Sequence, residues 1–173
     1  MNNTDKQLFI YYSYLSNIGS FLLNCAPHFV RNIVYKILLR KMGTGTIIDY
    51  HVYMRYFKNI EIGSNVVINR GCQLYTTYKL KKKIIIKDNV TISPNTKLYG
   101  AAHDYNSQPM LDTAEDITIE ENCWICADVT ILQGVTIGEN SVIGAKSVVC
   151  SNIPKNSIAV GNPARVIKER FTS

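Results

Sequence analysis

One histidine lies in the only long interruption of an otherwise regular sequence pattern. His103 falls in the segment 99–116, whereas His28 and His51 lie in less regular parts of the chain. Loops carried on a rigid scaffold are where functional side chains concentrate. Imidazole suits proton transfer because its unperturbed pKa lies near neutral pH. The position, more than the residue type, makes His103 the first candidate for acid–base chemistry.

A C-x-x-C pair, Cys123 and Cys126, has a spacing that zinc and redox sites use. In the six-residue repeat described below, Cys123 takes a small inward position and Cys126 a corner position. We therefore expect their side chains to diverge, and the sequence offers no second ligand pair nearby. We predict no metal site, and we expect all five scattered cysteines to be reduced.

An aliphatic residue returns every six positions from Ile62 onward. Three runs carry this phase: Ile62, Ile68 and Leu74; Ile86, Ile92 and Leu98; and Ile119, Ile125, Ile131, Ile137, Ile143 and Val149. A small or β-branched residue, such as Val66, Cys72 or Ser141, follows four positions later. A period of six fits neither an amphipathic helix nor an alternating strand. It predicts short strands separated by corners, with three hexapeptides completing each turn of a triangular solenoid.

The segments outside the repeat suggest three parts: an N-terminal helical cap (1–42), the coil (43–160, with the external loop 99–116) and a C-terminal tail (161–173). The cap is predicted as one or two helices broken near Pro27. It would cover the open first coil, or its basic amphipathic part would contact a membrane surface. An irregular first coil is expected over 46–56, and the tail is expected to leave the coil after Ile158.

Composition places limits on the class of protein. The 173 residues, 46% of them apolar, allow one core with a small appendage. The start lacks the pattern of a secretory signal, and polar residues interrupt the apolar stretch 21–39, so we expect a cytoplasmic protein without a transmembrane helix. The charge of +6 favours an anionic partner. The run KLKKK at 79–83 is predicted to be a solvated loop, with contact to an anionic acceptor as the alternative; no nucleic-acid-binding motif accompanies it.

The run from Ile119 to Lys168, which ends in GNPARVIK, carries a family resemblance. It resembles the galactoside, maltose and nodulation acetyltransferases and the sugar O-acetyltransferases of surface polysaccharides, all hexapeptide-repeat acyltransferases. The similarity extends over about 60–168. It implies a left-handed parallel β-helix, acetyl-CoA as co-substrate, a sugar or polysaccharide-precursor acceptor, and a homotrimer with its sites between neighbouring subunits.

The same resemblance assigns roles to individual residues. It makes His103 the general base, places Asn69 near the acceptor and acetyl group, and puts Trp124 where donor and acceptor meet. Asp104 and Tyr105 would line the acceptor side. For acetyl-CoA it implies Ala127 and Ala145 beside the pantetheine arm, and Arg165 and Lys168 near the phosphates. Lys146 is our own candidate to replace a family lysine that this chain lacks.

Some departures and alternatives stay open at this point. The family commonly has VVTKD where this chain has VVCSN at 148–152, so a hydroxyl and a lysine near the phosphates are missing. An acidic residue of the family is replaced near Thr77 in this chain, so the resemblance does not identify the acceptor. The alternatives are an N-acetyltransferase on an amino sugar, an antibiotic-modifying acetyltransferase, and a non-catalytic scaffold. A β-helix carbonic anhydrase is set aside, because only His103 is suitably placed among the histidines it would need for zinc.

Overall fold

Three parallel sheets are built in rotation by successive strands. The computed structural model describes residues 3–171, so the first two residues of the cap and the last two of the tail lie outside the described residues. Strands are numbered along the chain, and each of the first six pairs in parallel with the strand three places later. The chain therefore winds around three faces, and each face is one sheet.

The strands are short, and they form sheets of five, seven and five strands on the three faces. Sheet I contains β1 (Lys41–Met42), β4 (Ile60–Ile62), β7 (Ile84–Ile86), β12 (Ile117–Ile119) and β15 (Thr136–Ile137). Sheet II contains β2 (Ile47–Ile48), β5 (Val67–Ile68), β8 (Thr91–Ile92), β13 (Trp124–Ile125), β16 (Val142–Ile143), β18 (Ser157–Gly161) and β19 (Ala164–Glu169). Sheet III contains β3 (Tyr53–Met54), β6 (Gln73–Tyr75), β9 (Lys97–Tyr99), β14 (Thr130–Leu132) and β17 (Val148–Val149). A separate hairpin, β10 (Ala101–Asp104) and β11 (Leu111–Ala114), interrupts the winding between β9 and β12.

The core lies inside this coil. All twelve aliphatic residues of the repeat are at most 1% exposed, which confirms that the six-residue phase marks the inward positions. Successive coils are in register, so Ile62 lies above Ile86 and Ile86 above Ile119. These stacked side chains form one continuous hydrophobic cluster through the length of the coil.

The small position of the repeat is buried as well, and several of its members are polar. Thr96 Oγ1 donates to the carbonyl oxygen of Cys126 at 3.0 Å, Ser141 Oγ to that of Pro154 at 2.8 Å, and Cys123 Sγ to that of Gly138 at 3.2 Å. A buried hydroxyl without a partner is costly, so these bonds explain why Thr, Ser and Cys are tolerated there.

A ladder of asparagine side chains lines the corner between sheets I and II. Its members are Asn65, Asn89, Asn122, Asn140 and Asn156, all with φ between 55° and 60°. Each amide nitrogen donates to the next amide oxygen at 3.0–3.2 Å. Asparagine suits this corner because it tolerates the left-handed backbone. Arg170 bridges two rungs, donating to the carbonyl oxygens of Asn122 and Asn140, each at 3.0 Å.

Two helices precede the coil, α1 (Asn3–Cys25) and α2 (His28–Leu38). Tyr35 and Leu39 are buried against the core, and Arg31, only 2% exposed, donates to the carbonyl oxygen of Ile48 at 3.1 Å. Thus α2 covers the first coil at its open end. Within the described part of the chain, neither helix has the length and apolarity needed to cross a membrane.

Two sequence expectations about the ends of the coil were wrong. The first coil is regular: β2 and β3 pair in parallel with β5 and β6, and Ile48 and Met54 are buried six residues apart. A short 3₁₀ turn at Phe57–Asn59 lengthens the step to Ile62, which hid this phase. The chain also does not leave the coil after Ile158, because β18 continues sheet II and β19 folds back antiparallel on it.

Candidate active site

The histidine-bearing segment is a braced hairpin. It leaves the coil at the corner between sheets III and I, between β9 and β12. From the preceding coil, the backbone N–H of Lys83 donates to Asp116 Oδ1 at 2.8 Å. From the following coil, Gln133 Nε2 donates to Thr113 Oγ1 at 3.1 Å. These two contacts fix the base of the hairpin and therefore the position from which His103 projects.

His103 and Asp112 face each other across the hairpin. They are directly paired in the β10–β11 register, and His103 Nδ1 lies 3.1 Å from Asp112 Oδ1. An Nδ1–H that donates to the carboxylate leaves Nε2 as the basic nitrogen. Both side chains are more than half exposed, so Nε2 is accessible to a reacting group from outside this chain.

The turn of the hairpin is built by Asp104. Its Oδ1 accepts the backbone N–H of Asn106 at 2.9 Å, and its carbonyl oxygen accepts the hydroxyl of Ser107 at 3.0 Å. Tyr105, 86% exposed, projects at the tip. Asp104 therefore shapes the turn, and Tyr105 has no cover within its own chain.

A second group of predicted site residues lies on sheet II. Trp124 points outward from β13, is 48% exposed, and donates from Nε1 to Ser93 Oγ at 3.0 Å. Asn69 follows β5 on the same sheet, and its amide nitrogen donates to the carbonyl oxygen of Ile92 at 2.8 Å. Ser93 thus holds the indole ring in place, while Asn69 is anchored to the next coil.

The residues assigned to acetyl-CoA extend this second group. Ala127 and Lys146 lie at the corner between sheets II and III, where the Lys146 N–H donates to the Ala127 carbonyl oxygen at 3.0 Å. Ala145 is exposed on the same corner, and Arg165 and Lys168 are exposed on β19 at the edge of sheet II. Small side chains and cations therefore line one side of the coil.

The predicted site is divided between two sides of a single chain. His103, Asp104 and Tyr105 lie on the hairpin at the corner between sheets III and I, while the other group lies on sheet II and its following corner. Among the described residues, no hydrogen bond or ion pair joins the two groups. In a single chain, the two groups of predicted site residues therefore make no direct polar contact.

The cysteines of the C-x-x-C pair differ in burial and do not form a reactive pair. Cys123 is buried, and burial raises the pKa of its thiol to about 11, whereas Cys126 is partly exposed at a corner. A protonated, buried thiol is a poor nucleophile and metal ligand. In the described range 3–171, no group of three His, Cys, Asp or Glu side chains is arranged to hold a metal ion.

Three contacts at the site were missed from the sequence. Asp112 pairs with His103 only through the hairpin register, Ser93 reaches Trp124 across adjacent coils, and Gln133 supports the hairpin from the next coil. The nine-residue separation of His103 and Asp112 would signal a hairpin pair only after its turn had been located. The other two contacts required the stacking of coils.

Comparisons with known proteins match this architecture. Residues 116–151 match the family model described as bacterial transferase hexapeptide (six repeats). Galactoside O-acetyltransferase of Escherichia coli is 38% identical over 143 residues, covering 80% of this chain and 68% of that protein. WcaF of Escherichia coli, provisionally named as a colanic acid biosynthesis acetyltransferase, is 34% identical over 140 residues, covering 81% and 75%.

A solved structure shares the fold over nearly the whole chain. The hexapeptide-repeat acetyltransferase VCA0836 of Vibrio cholerae, in complex with acetyl coenzyme A, superimposes with a TM-score of 0.84 at 27% identity. The match covers 94% of this chain and 88% of that one. These similarities confirm the resemblance drawn from the repeat and the C-terminal run, and the chain belongs to the hexapeptide-repeat acetyltransferases.

Proposed function

We propose that this protein transfers the acetyl group of acetyl-CoA to a hydroxyl of a sugar or polysaccharide precursor. The main support is the His103–Asp112 pair on a braced hairpin, in a chain whose relatives include a galactoside O-acetyltransferase. WcaF, the relative provisionally assigned to colanic acid biosynthesis, favours an acceptor related to polysaccharides.

The proposed reaction transfers the acetyl group directly from the donor to the acceptor, without an acetyl-enzyme intermediate. Nε2 of neutral His103 accepts the proton of the acceptor hydroxyl while that oxygen attacks the thioester carbonyl carbon. The carbon–sulfur bond breaks, and the thiol leaves with the proton returned from the imidazolium. Asp112 holds Nδ1–H, which keeps Nε2 toward the acceptor and stabilises the transient positive charge.

Acetyl-CoA would bind along the small residues and cations of sheet II. At Ala127 and Ala145 the side chains are short, so an extended pantetheine arm can approach the backbone closely. Arg165 and Lys168 are exposed on β19 and can neutralise phosphate groups. Lys146, at the corner beside Ala145, supplies a further cation. Trp124 would lie between donor and acceptor, with its ring fixed by Ser93.

The division of the site supports an assembly in which each active site is shared. We infer that the coil is a left-handed parallel β-helix and that three copies associate into a ring. In such a ring, the hairpin of one subunit reaches sheet II of the next, which brings His103 to Trp124. A heterologous contact of this kind closes into a cyclic trimer.

The test is thiol release from acetyl-CoA in the presence of a panel of sugars and polysaccharide precursors. His103→Ala is expected to lower turnover by about 10² to 10⁴, the usual contribution of a general base. The matched control is His28→Ala, which removes another exposed histidine, at the start of α2, and should leave turnover unchanged. Near-native turnover of a folded His103→Ala protein would remove this residue from the mechanism.

A further inference from the structure

Helix α1 has an unusual distribution of side chains. The face toward the coil carries Tyr12, Ser16 and Leu23, and of these only Leu23 packs its apolar side chain against the core. Tyr12 stacks on Tyr56 at 4.6 Å between ring centroids, and its hydroxyl accepts the Tyr56 backbone N–H at 2.8 Å. The helix is therefore held on the coil by Leu23 and by the Tyr12 contacts, while most of its large apolar side chains remain exposed.

The outer face of α1 is continuous and apolar. Its members are Leu8, Tyr11, Tyr14, Leu15, Ile18, Phe21 and Leu22, all between 42% and 67% exposed. Five of them, at 8, 11, 15, 18 and 22, are spaced alternately by three and four residues. This spacing is the seam by which one helix packs against another element with interlocking side chains.

The area of this face is too large to be an ordinary exposed surface. From their exposed fractions, the seven side chains present on the order of 800 Å² per copy, which equals one side of a standard protein–protein interface. Soluble monomers rarely expose a contiguous apolar patch of that size. A partner is therefore expected to cover it.

Charge distinguishes a protein partner from a lipid surface. From Gln7 to Pro27 the chain has no Asp, Glu, Lys, Arg or His. Helices that lie on membranes usually carry Lys and Arg on their polar face, and α1 carries none beyond Lys6. Two copies of an uncharged face meet without like-charge repulsion, so the composition favours self-association.

The position of α1 supports the same partner. The Arg55 guanidinium lies over the ring of Phe9, 4.4 Å from the ring centroid. The ring of Tyr56 in turn contacts the ring of Tyr78 in the next coil. Arg55 and Tyr56 follow β3, and Tyr78 follows β6. All three lie at the corner between sheets III and I from which the His103 hairpin also leaves. A neighbouring copy that meets the hairpin therefore also lies beside α1.

We propose that the outer face of α1 is an interface with a second copy of this chain, continuous with the contact made by the hairpin. The inference rests on the proposed function only for the placement of that neighbour. Docking of α1 would add helix-on-coil or helix-on-helix contacts to those of the coils, and would hold the hairpin against its acceptor subunit.

The experiment compares two variants of α1 that carry the same new charge. Leu15→Glu places a carboxylate in the centre of the apolar seam, whereas Asn17→Glu places it two residues away on an exposed polar position. Mass in solution is measured over a range of protein concentrations, with far-ultraviolet circular dichroism as the check on folding. Leu22→Glu, on the same face, serves where Leu15→Glu is unfolded.

The expected result is that Leu15→Glu dissociates at a concentration at least about tenfold higher than the unchanged chain, while Asn17→Glu does not. Equal dissociation of all three proteins, or a monomeric unchanged chain, would overturn the inference. So would binding of the unchanged chain to phosphatidylcholine–phosphatidylserine vesicles that Leu15→Glu abolishes without a change in mass. Absence of thiol release would count against the proposed function alone, because the masses are measured independently of activity.

Discussion

The carboxylate of Asp112 lies 3.1 Å from Nδ1 of His103 and orients its imidazole ring. Asp112→Asn is expected to reduce kcat by at least about tenfold with little change in the KM for acetyl-CoA, because the amide cannot stabilise imidazolium and permits the wrong tautomer. Steady-state kinetics of the variant would check this. Asp116→Asn, at the base of the same hairpin, keeps the oxygen that accepts the Lys83 N–H and is the matched control.

An equal loss in Asp112→Asn and Asp116→Asn would show that the hairpin as a whole, and not the His103–Asp112 contact, is sensitive to charge. A loss confined to the KM for acetyl-CoA would contradict a role for Asp112 in orienting the base.

The sequence predicted where individual site residues lie better than it predicted which side chains they contact. His103 was singled out because the six-residue period forces its segment out of the coil, and the structure places it on an external hairpin. The family resemblance put Trp124 where donor and acceptor meet, and in a single chain its ring is 48% exposed. Partners such as Asp112 and Ser93 depend on strand register and on coil stacking, which a linear pattern does not encode.

Along the short strands that wind the coil, an inward side chain is buried and the side chain next to it is less buried. On β14, Ile131 is fully buried in the core while its neighbour Leu132 is 37% exposed on the outside. Ile131→Ala is expected to lower the free energy of unfolding by about 2–5 kcal/mol, because it removes buried methyl groups and leaves a cavity. Leu132→Ala, a comparable truncation one residue away, should cost less than about 1 kcal/mol.

Thermal or denaturant unfolding of the two variants measures this difference directly. Similar destabilisation by both changes would contradict the assignment of inward and outward positions.

The elements were predictable wherever the period was uninterrupted. The strands from β12 to β17 follow the repeat, because each coil there has the same length. The first coil was missed because the 3₁₀ turn at Phe57–Asn59 adds residues between Met54 and Ile62. The return of β19 onto β18 was missed because the tail was judged by its lack of repeat, whereas an antiparallel edge strand needs no six-residue period.

The coil as a whole separates the two groups of predicted site residues. One side of the coil carries Trp124 and the small and basic residues assigned to acetyl-CoA, and the hairpin with His103 leaves from a different corner. The apolar outer face of α1 is also uncovered in a single chain. The proposed association of identical copies would account for both features.

The most direct test of a shared site is complementation between two variants that we each expect to be inactive alone. His103→Ala supplies an intact sheet II, and Trp124→Ala supplies an intact hairpin. After the two are mixed, dissociated and reassembled, random cyclic trimers are expected to recover about a quarter of native thiol release, because one site in four combines both intact halves. Reassembly of His103→Ala with the His103→Ala/Trp124→Ala double variant is the control and should stay inactive. If verified mixed trimers of the two single variants showed no more activity than this control, the sites would not be shared between subunits.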